Sequence, residues 1–90
     1  MRVEKLSLSV FTRLDDGTGV LLNLQTLFYY SLNRTGAAIW QEIENSNPST
    51  IDDLVRAVCE RFDVDQNAAH QEVGTFVSRL EQFKMVRLSN

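Results

Sequence analysis

Gly19-Val-Leu-Leu-Asn-Leu-Gln-Thr-Leu-Phe-Tyr-Tyr-Ser-Leu-Asn33 runs into Arg34-Thr-Gly-Ala-Ala-Ile-Trp40, and Gly19 to Asn33 carries no charge. Val20, Leu22 and Leu24 share one face of a short strand, with Leu21 and Asn23 on the other. Gln25-Thr26 is a turn. Leu27–Leu32 follows as a second apolar strand free of Pro and Gly. Asn33 then stands where a helix needs an N-cap, because its side chain can accept from the free amides of the first turn. Upstream, Leu6, Leu8 and Val10 alternate with Ser7 and Ser9, the period of a half-buried strand. Asp15-Asp16-Gly17-Thr18-Gly19 supplies the positive φ of a hairpin turn. Connections this short predict an antiparallel meander with its third strand at an edge.

Helical periodicity takes over after Asn33. Ala37, Trp40 and Ile43, with Ile39 beside them, predict a buried stripe on a helix ending near Asn45, where Asn45-Ser46-Asn47-Pro48 breaks it. Ser49 or Thr50 caps a second helix with Asp52 or Asp53 in its first turn, where a carboxylate favours the positive end of the helix dipole. Its stripe is Ile51, Leu54, Val55, Val58 and Phe62. Asp63-Val64-Asp65 is a tight turn, and Asp65 caps a third helix burying Ala69, Val73, Phe76, Val77 and Leu80, with Phe83 flanking. Met85-Val86-Arg87-Leu88 packs back on the sheet or adds a short strand. The order predicts an α+β, winged-helix-like fold, a three-stranded antiparallel sheet followed by three helices.

Ninety residues support one domain, residues 1–90, with about 5–13 kcal/mol of stability. A net charge of −3 removes the simplest electrostatic case for nucleic acid or an anionic membrane as partner. One cysteine, Cys59, makes no intramolecular disulfide, so nothing requires an oxidising compartment. Residues 1–5 mix charges rather than form a signal-peptide core, and no segment approaches the apolar length of a membrane span. A cytoplasmic protein is expected.

No catalytic constellation is visible. His70, the single histidine, falls one position beyond the buried stripe of the third helix and has no partner to act with. Cys59 reads as a small hydrophobe. One Cys and one His do not make a structural zinc site, and Gly17, Gly19 and Gly36 lack the spacing of a phosphate loop. The reading is therefore of a non-enzyme with no metal or cofactor. A winged helix can place its third helix in the major groove of DNA. Here the exposed positions of that helix, Gln66, Glu72, Gly74, Thr75, Ser78, Arg79, Glu81 and Gln82, are nearly neutral, and DNA binding stands as the alternative. A non-catalytic assembly subunit is a further one.

The edge strand is the informative feature. Its unpaired N–H and C=O groups template pairing with another chain unless the protein covers or uses them. Tyr29 and Tyr30 point to opposite faces, Tyr30 toward the helices with Phe28 and Leu32, Leu27 and Tyr29 away from them. An open edge with flanking apolar pockets is what strand addition by a peptide requires.

The residues resemble the PqqD-like family, precursor-peptide recognition elements of ribosomally made, post-translationally modified peptides. The resemblance lies in Val20-Leu-Leu-Asn-Leu-Gln-Thr26, in Phe28-Tyr-Tyr-Ser-Leu-Asn-Arg-Thr-Gly-Ala-Ala-Ile-Trp40, and in Thr50-Ile-Asp-Asp-Leu-Val55. It continues through Arg61-Phe-Asp-Val-Asp65 and from Glu72-Val73 to Leu80 and Met85-Val86. It covers Leu8 to Leu88, and the strand segment is closer to the stand-alone recognition proteins of lasso-peptide pathways. Two positions depart from the pattern. Lys84 stands where the family usually has Gly, so the last helix is expected to end differently, and Asn23 stands where Asp is commoner.

The resemblance implies a domain that binds the leader region of a precursor peptide. The leader adds antiparallel to the third strand, in a groove against the third helix. The strand contributes Leu27, Phe28, Tyr29, Tyr30 and Ser31. The helix contributes Phe76, Val77, Leu80 and the basic Arg79 and Lys84, the groove-facing apolar residue being Val77 or Leu80. The partners implied are the leader and a separate modifying enzyme such as a leader peptidase or a radical enzyme, with no nucleic acid and no membrane.

Overall fold

The computed structural model describes residues 1–6 and 8–90. Along the described chain run β1 (Arg2–Lys5), β2 (Ser9–Arg13), β3 (Gly19–Asn23), β4 (Tyr29–Leu32), α1 (Arg34–Asn45), β5 (Ser49–Thr50), α2 (Ile51–Arg61), α3 (Gln66–Gln82) and β6 (Val86–Ser89). The expected meander is β2-β3-β4, antiparallel throughout, with β4 at an edge. Its register aligns Val10, Leu22 and Tyr29 in one row and Phe11, Leu21 and Tyr30 in the next.

Alternation identifies residues that share a face but not which face is covered. The helices cover the face of Leu21 and Asn23, both buried, while Val20 and Leu22 are half-buried and Leu24 is exposed. On β2 the inward residue is Phe11, not the row of Leu8 and Val10, which are 51% and 46% exposed. A Cβ on Gly19 would lie 2.4 Å from the Phe11 ring, so this ring occupies the space a side chain at Gly19 would need. The strand expected over Leu6 to Val10 is thus replaced by β2 starting at Ser9, and Ser7 lies outside the described residues. Likewise β4 starts at Tyr29 rather than Leu27, because Leu27 adopts φ 65 and belongs to the turn.

A second antiparallel sheet, β5-β1-β6, was not legible in the residues. It pairs Glu4 with Arg87 and Val3 with Leu88, contacts between the two ends of the chain that no local pattern announces. Val3 is fully buried, and Glu4 and Arg87 form an ion pair at 2.9 Å. The Met85–Leu88 segment therefore adds a strand, but to this sheet rather than to the meander.

The helices start as their caps predict. Asn33 Oδ1 accepts from the Gly36 amide at 2.8 Å, and Asp65 accepts from the Ala68 amide at 2.7 Å. Thr50 and Asp53 form a reciprocal capping box, so Thr50 is the cap and Ser49 is buried in β5. Trp40, Ile43, Leu54, Val58, Val73 and Val77 meet in one core cluster with Leu21 and Val3. The result is an α+β fold of three helices and two three-stranded antiparallel sheets, compatible with a winged-helix-like description.

Candidate functional site

The β4 edge can be read amide by amide. The Asn23 N–H donates to the Phe28 carbonyl at 2.9 Å, which makes positions 23 and 28 a bonded pair. Bonded and non-bonded pairs alternate along an antiparallel ladder. The β4 groups that face β3 are therefore those of Tyr30 and Leu32, opposite Leu21 and Gly19. The N–H and C=O of Tyr29 and Ser31 point the other way, off the sheet.

Beside that edge runs α3. Tyr29, Tyr30, Ser31, Leu32, Phe76, Arg79, Leu80 and Phe83 line a groove of about 340 Å³. A second depression of about 380 Å³ continues it toward the start of α1, sharing Ser31, Leu32, Phe76 and Arg79. It adds Thr35, Gln71, Glu72 and Thr75, so the trough is apolar at the Phe83 end and polar at the α1 end. Tyr30 and Phe83 stack at a centroid distance of 4.3 Å and 13° between planes. Phe76 rests on Gly36, where an added Cβ would come within 3.2 Å of its ring. Glycine there lets the ring settle between α1 and β4. Arg79, exposed, is the basic side chain along both parts of the trough.

The turn at one end of the trough is organised by Asn23, 2% exposed. Its Oδ1 accepts from the Gln25 and Thr26 amides at 2.9 and 3.2 Å, and its Nδ2 donates to the Phe83 carbonyl at 3.0 Å. An Asx turn is thereby tied to the C-cap of α3. Past that cap the Lys84 N–H donates to the Glu81 carbonyl at 3.0 Å and the Met85 N–H to the Leu80 carbonyl at 2.8 Å. This is a Schellman motif with Lys84 in the left-handed position, φ 59. The helix therefore ends as it would with glycine, contrary to the expectation, and Lys84 carries the strain.

The residues singled out from the sequence separate into three groups. Tyr29, Tyr30, Ser31, Phe76, Arg79 and Leu80 come together in the groove. Leu27 and Phe28 lie on the turn, 72% and 66% exposed, so Phe28 does not share the covered face with Tyr30 and Leu32. Val77 is buried in the core, and Lys84 sits at the helix end outside the groove lining. Leu32 and Phe83 complete the lining. Phe83 follows Phe76 by seven residues and Leu80 by three, a helical spacing that places it on the Phe76 side of α3. Cys59 and His70 border one depression between α2 and α3, and no metal-binding group of three ligands occurs among the described residues. No helix among them is long and apolar enough to cross a membrane.

Residues 18–86 match the family described as coenzyme PQQ synthesis protein D (PqqD). The chain belongs to the PqqD family. Two solved structures share its fold. One is described as TbiB1 in complex with the TbiA(beta) leader peptide, with a TM-score of 0.84 at 24% identity, covering 97% of this chain and 98% of that one. The other is lasso peptide synthetase B1 complexed with the leader peptide, with a TM-score of 0.77 at 21% identity, covering 96% and 98%. No curated protein matches the chain. The PqqD-family match covers the β3–β4 hairpin and all of α3, the elements that build the trough.

Proposed function

We propose that this domain binds the leader region of a ribosomally made precursor peptide and presents it to a separate modifying enzyme. The observation that carries the reading is the outward-facing pair of peptide groups at Tyr29 and Ser31 beside a trough that is apolar at its Phe83 end. A leader laid antiparallel on β4 bonds its main chain to those groups. Every second side chain then enters the space between Tyr30, Phe76, Leu80 and Phe83. Membership of the PqqD family supports the reading, as do the two fold relatives described with leader peptides. The exposed charged residues of α3 are Glu72, Arg79 and Glu81, two negative against one positive, which disfavours a DNA phosphate backbone.

The role is delivery. A disordered leader orders on binding, and that entropy cost moderates affinity to a Kd of roughly 10 nM to 10 µM. Holding the leader raises the effective concentration of the core peptide at the enzyme, a leader peptidase or a radical enzyme. The domain contributes no catalytic group to that step.

Proline at two neighbouring positions tests strand addition. Tyr29→Pro deletes an N–H that faces away from β3, whereas Tyr30→Pro deletes one that bonds β3. With a fluorescein-labelled leader peptide that binds the parent domain, Tyr29→Pro stays folded and loses about tenfold or more in affinity. Tyr30→Pro loses stability. A folded Tyr29→Pro that binds as tightly as the parent refutes strand addition.

A further inference from the structure

The basic residues of this acidic chain are not spread evenly. Acidic side chains outnumber basic ones by twelve to nine. Even so, Arg13 at the end of β2, Arg34 at the start of α1 and Arg61 at the end of α2 meet around one depression of about 280 Å³, which Gln41 and Phe62 also line. The depression shares no lining residue with either part of the trough, so the inference is independent of the leader reading.

Three guanidiniums around one space repel one another, and a carboxylate from the acidic majority would be the ordinary compensation. None lines the depression. Among the described residues Lys5, Arg56 and Arg87 form ion pairs, whereas Arg13, Arg34 and Arg61 form none. The Asp16 carboxylate lies within electrostatic reach of Arg34 but directs its hydrogen bonds to Thr18. Arg34 is also the first residue of α1, whose first turn carries no acidic side chain. The positive end of the helix dipole disfavours a cation there and favours an anion.

Two of the three side chains are held in place. Arg34 Nε donates to the Asp16 carbonyl at 2.8 Å, leaving its two terminal nitrogens for another acceptor, and Arg13 Nη1 donates to Gln41 Oε1 at 3.4 Å. One bidentate guanidinium satisfies a carboxylate. Three guanidiniums from three elements suit a group with more than one charge and more than two oxygens, which is a phosphate. Phe62, half-buried at the same depression, offers an apolar wall to the organic part of an ester.

We propose that Arg13, Arg34 and Arg61 form a phosphate-binding site, which takes a phosphate or polyphosphate group, either free or carried on a small ester such as a nucleotide.

Titration calorimetry in phosphate-free buffer of low salt tests the site, with pyrophosphate, tripolyphosphate and ATP as probes and a hexaglutamate peptide as the carboxylate control. The parent should bind pyrophosphate at one site. Arg34→Gln and Arg61→Gln should each weaken that binding about tenfold or more. Arg2→Gln, the same change in net charge outside the depression, should leave it within about twofold. Thermal melting without ligand reads folding. Arg61 is exposed and makes no ion pair, so its variant keeps the test decisive if loss of the bond from Arg34 to Asp16 disturbs the β2–β3 turn. ATP binding no tighter than tripolyphosphate assigns the site to free phosphate groups, and ATP binding tighter assigns it to a nucleotide lying on Phe62. Four results overturn the site: no saturable binding of any phosphate by the parent, undiminished affinity in a folded Arg61→Gln, an equal loss in Arg2→Gln, or binding of hexaglutamate alone.

Discussion

The Asn23 side chain donates through Nδ2 to the Phe83 carbonyl across 3.0 Å, joining the last residue of β3 to the C-cap of α3. The two walls of the groove are thus fastened at one end by a buried amide, 2% exposed, that also shapes the β3–β4 turn through Oδ1. Stacking of Tyr30 on Phe83 reinforces the same corner.

Replacing that amide by a carboxylate separates its two jobs. Asn23→Asp keeps the acceptor for Gln25 and Thr26 but sets an oxygen against the Phe83 carbonyl. At neutral pH it should cost about 1–3 kcal/mol, the penalty of an unpaired buried polar group. Urea denaturation reads the change. An Asp variant as stable as the parent would show that the Phe83 carbonyl is satisfied by other means.

At the end of α3 the opposite sign is expected. Lys84 occupies the left-handed position of the Schellman motif, φ 59, at a steric cost of about 1–2 kcal/mol that glycine avoids. Glycine gives back roughly 0.5–1 kcal/mol through its freer unfolded chain. Lys84→Gly should therefore stabilise the domain by about 0.5–1 kcal/mol in a thermal melt and leave leader affinity unchanged. A lower melting temperature contradicts this.

Neighbouring positions on α3 should divide between binding and folding. Phe76 floors the groove, whereas Val77 is 1% exposed in the core. Phe76→Ala should weaken leader binding by about 1–3 kcal/mol. Val77→Ala should cost about 1.5–2.5 kcal/mol of stability while its folded fraction binds normally. Arg79→Glu, at an exposed rim, should change affinity by under about 1 kcal/mol. Titration calorimetry with circular dichroism separates these effects, and a dominant Arg79 with a silent Phe76 would contradict the apolar groove.

The β2–β3 turn carries a pH signature. The Asp16 carboxylate accepts from Thr18 Oγ at 2.6 Å and from the Thr18 amide at 3.0 Å. These bonds, with Arg34 nearby, hold its pKa below the ordinary 3.8. A depressed pKa means the turn is stabilised above the ordinary value and loses that contribution as pH falls through the folded-state pKa. A carbon NMR titration of Asp16 should give a midpoint below 3.8, and Thr18→Val should move it back toward that value. A parent midpoint at or above 3.8 would rule the turn geometry out.

The helices and the meander were legible because their signals are local. Asn33, Thr50 and Asp65 cap amides three residues away, and the stripe through Ala37, Trp40 and Ile43 repeats within one helix. The second sheet was not, because β1 and β6 pair residues as far apart as Glu4 and Arg87. Leu8 and Val10 misled because alternation marks a shared face whether or not anything covers it. The groove was half legible: the residues indicate the edge strand, while helical periodicity does not say which flank of α3 faces it.

The sequence by itself determined the order of the meander and the three helices, the caps, the uncharged edge strand and the PqqD family, each written in neighbouring residues or a contiguous motif. Only the tertiary structure decided that Phe83 joins Phe76, Arg79 and Leu80 along the groove while Val77 turns to the core. It also placed Asn23 as the clasp on α3 and left Leu27 strained in solvent. Both sides of α3 are apolar enough to bury, so its rotation is set by what it packs against, and that is known only once distant segments have met.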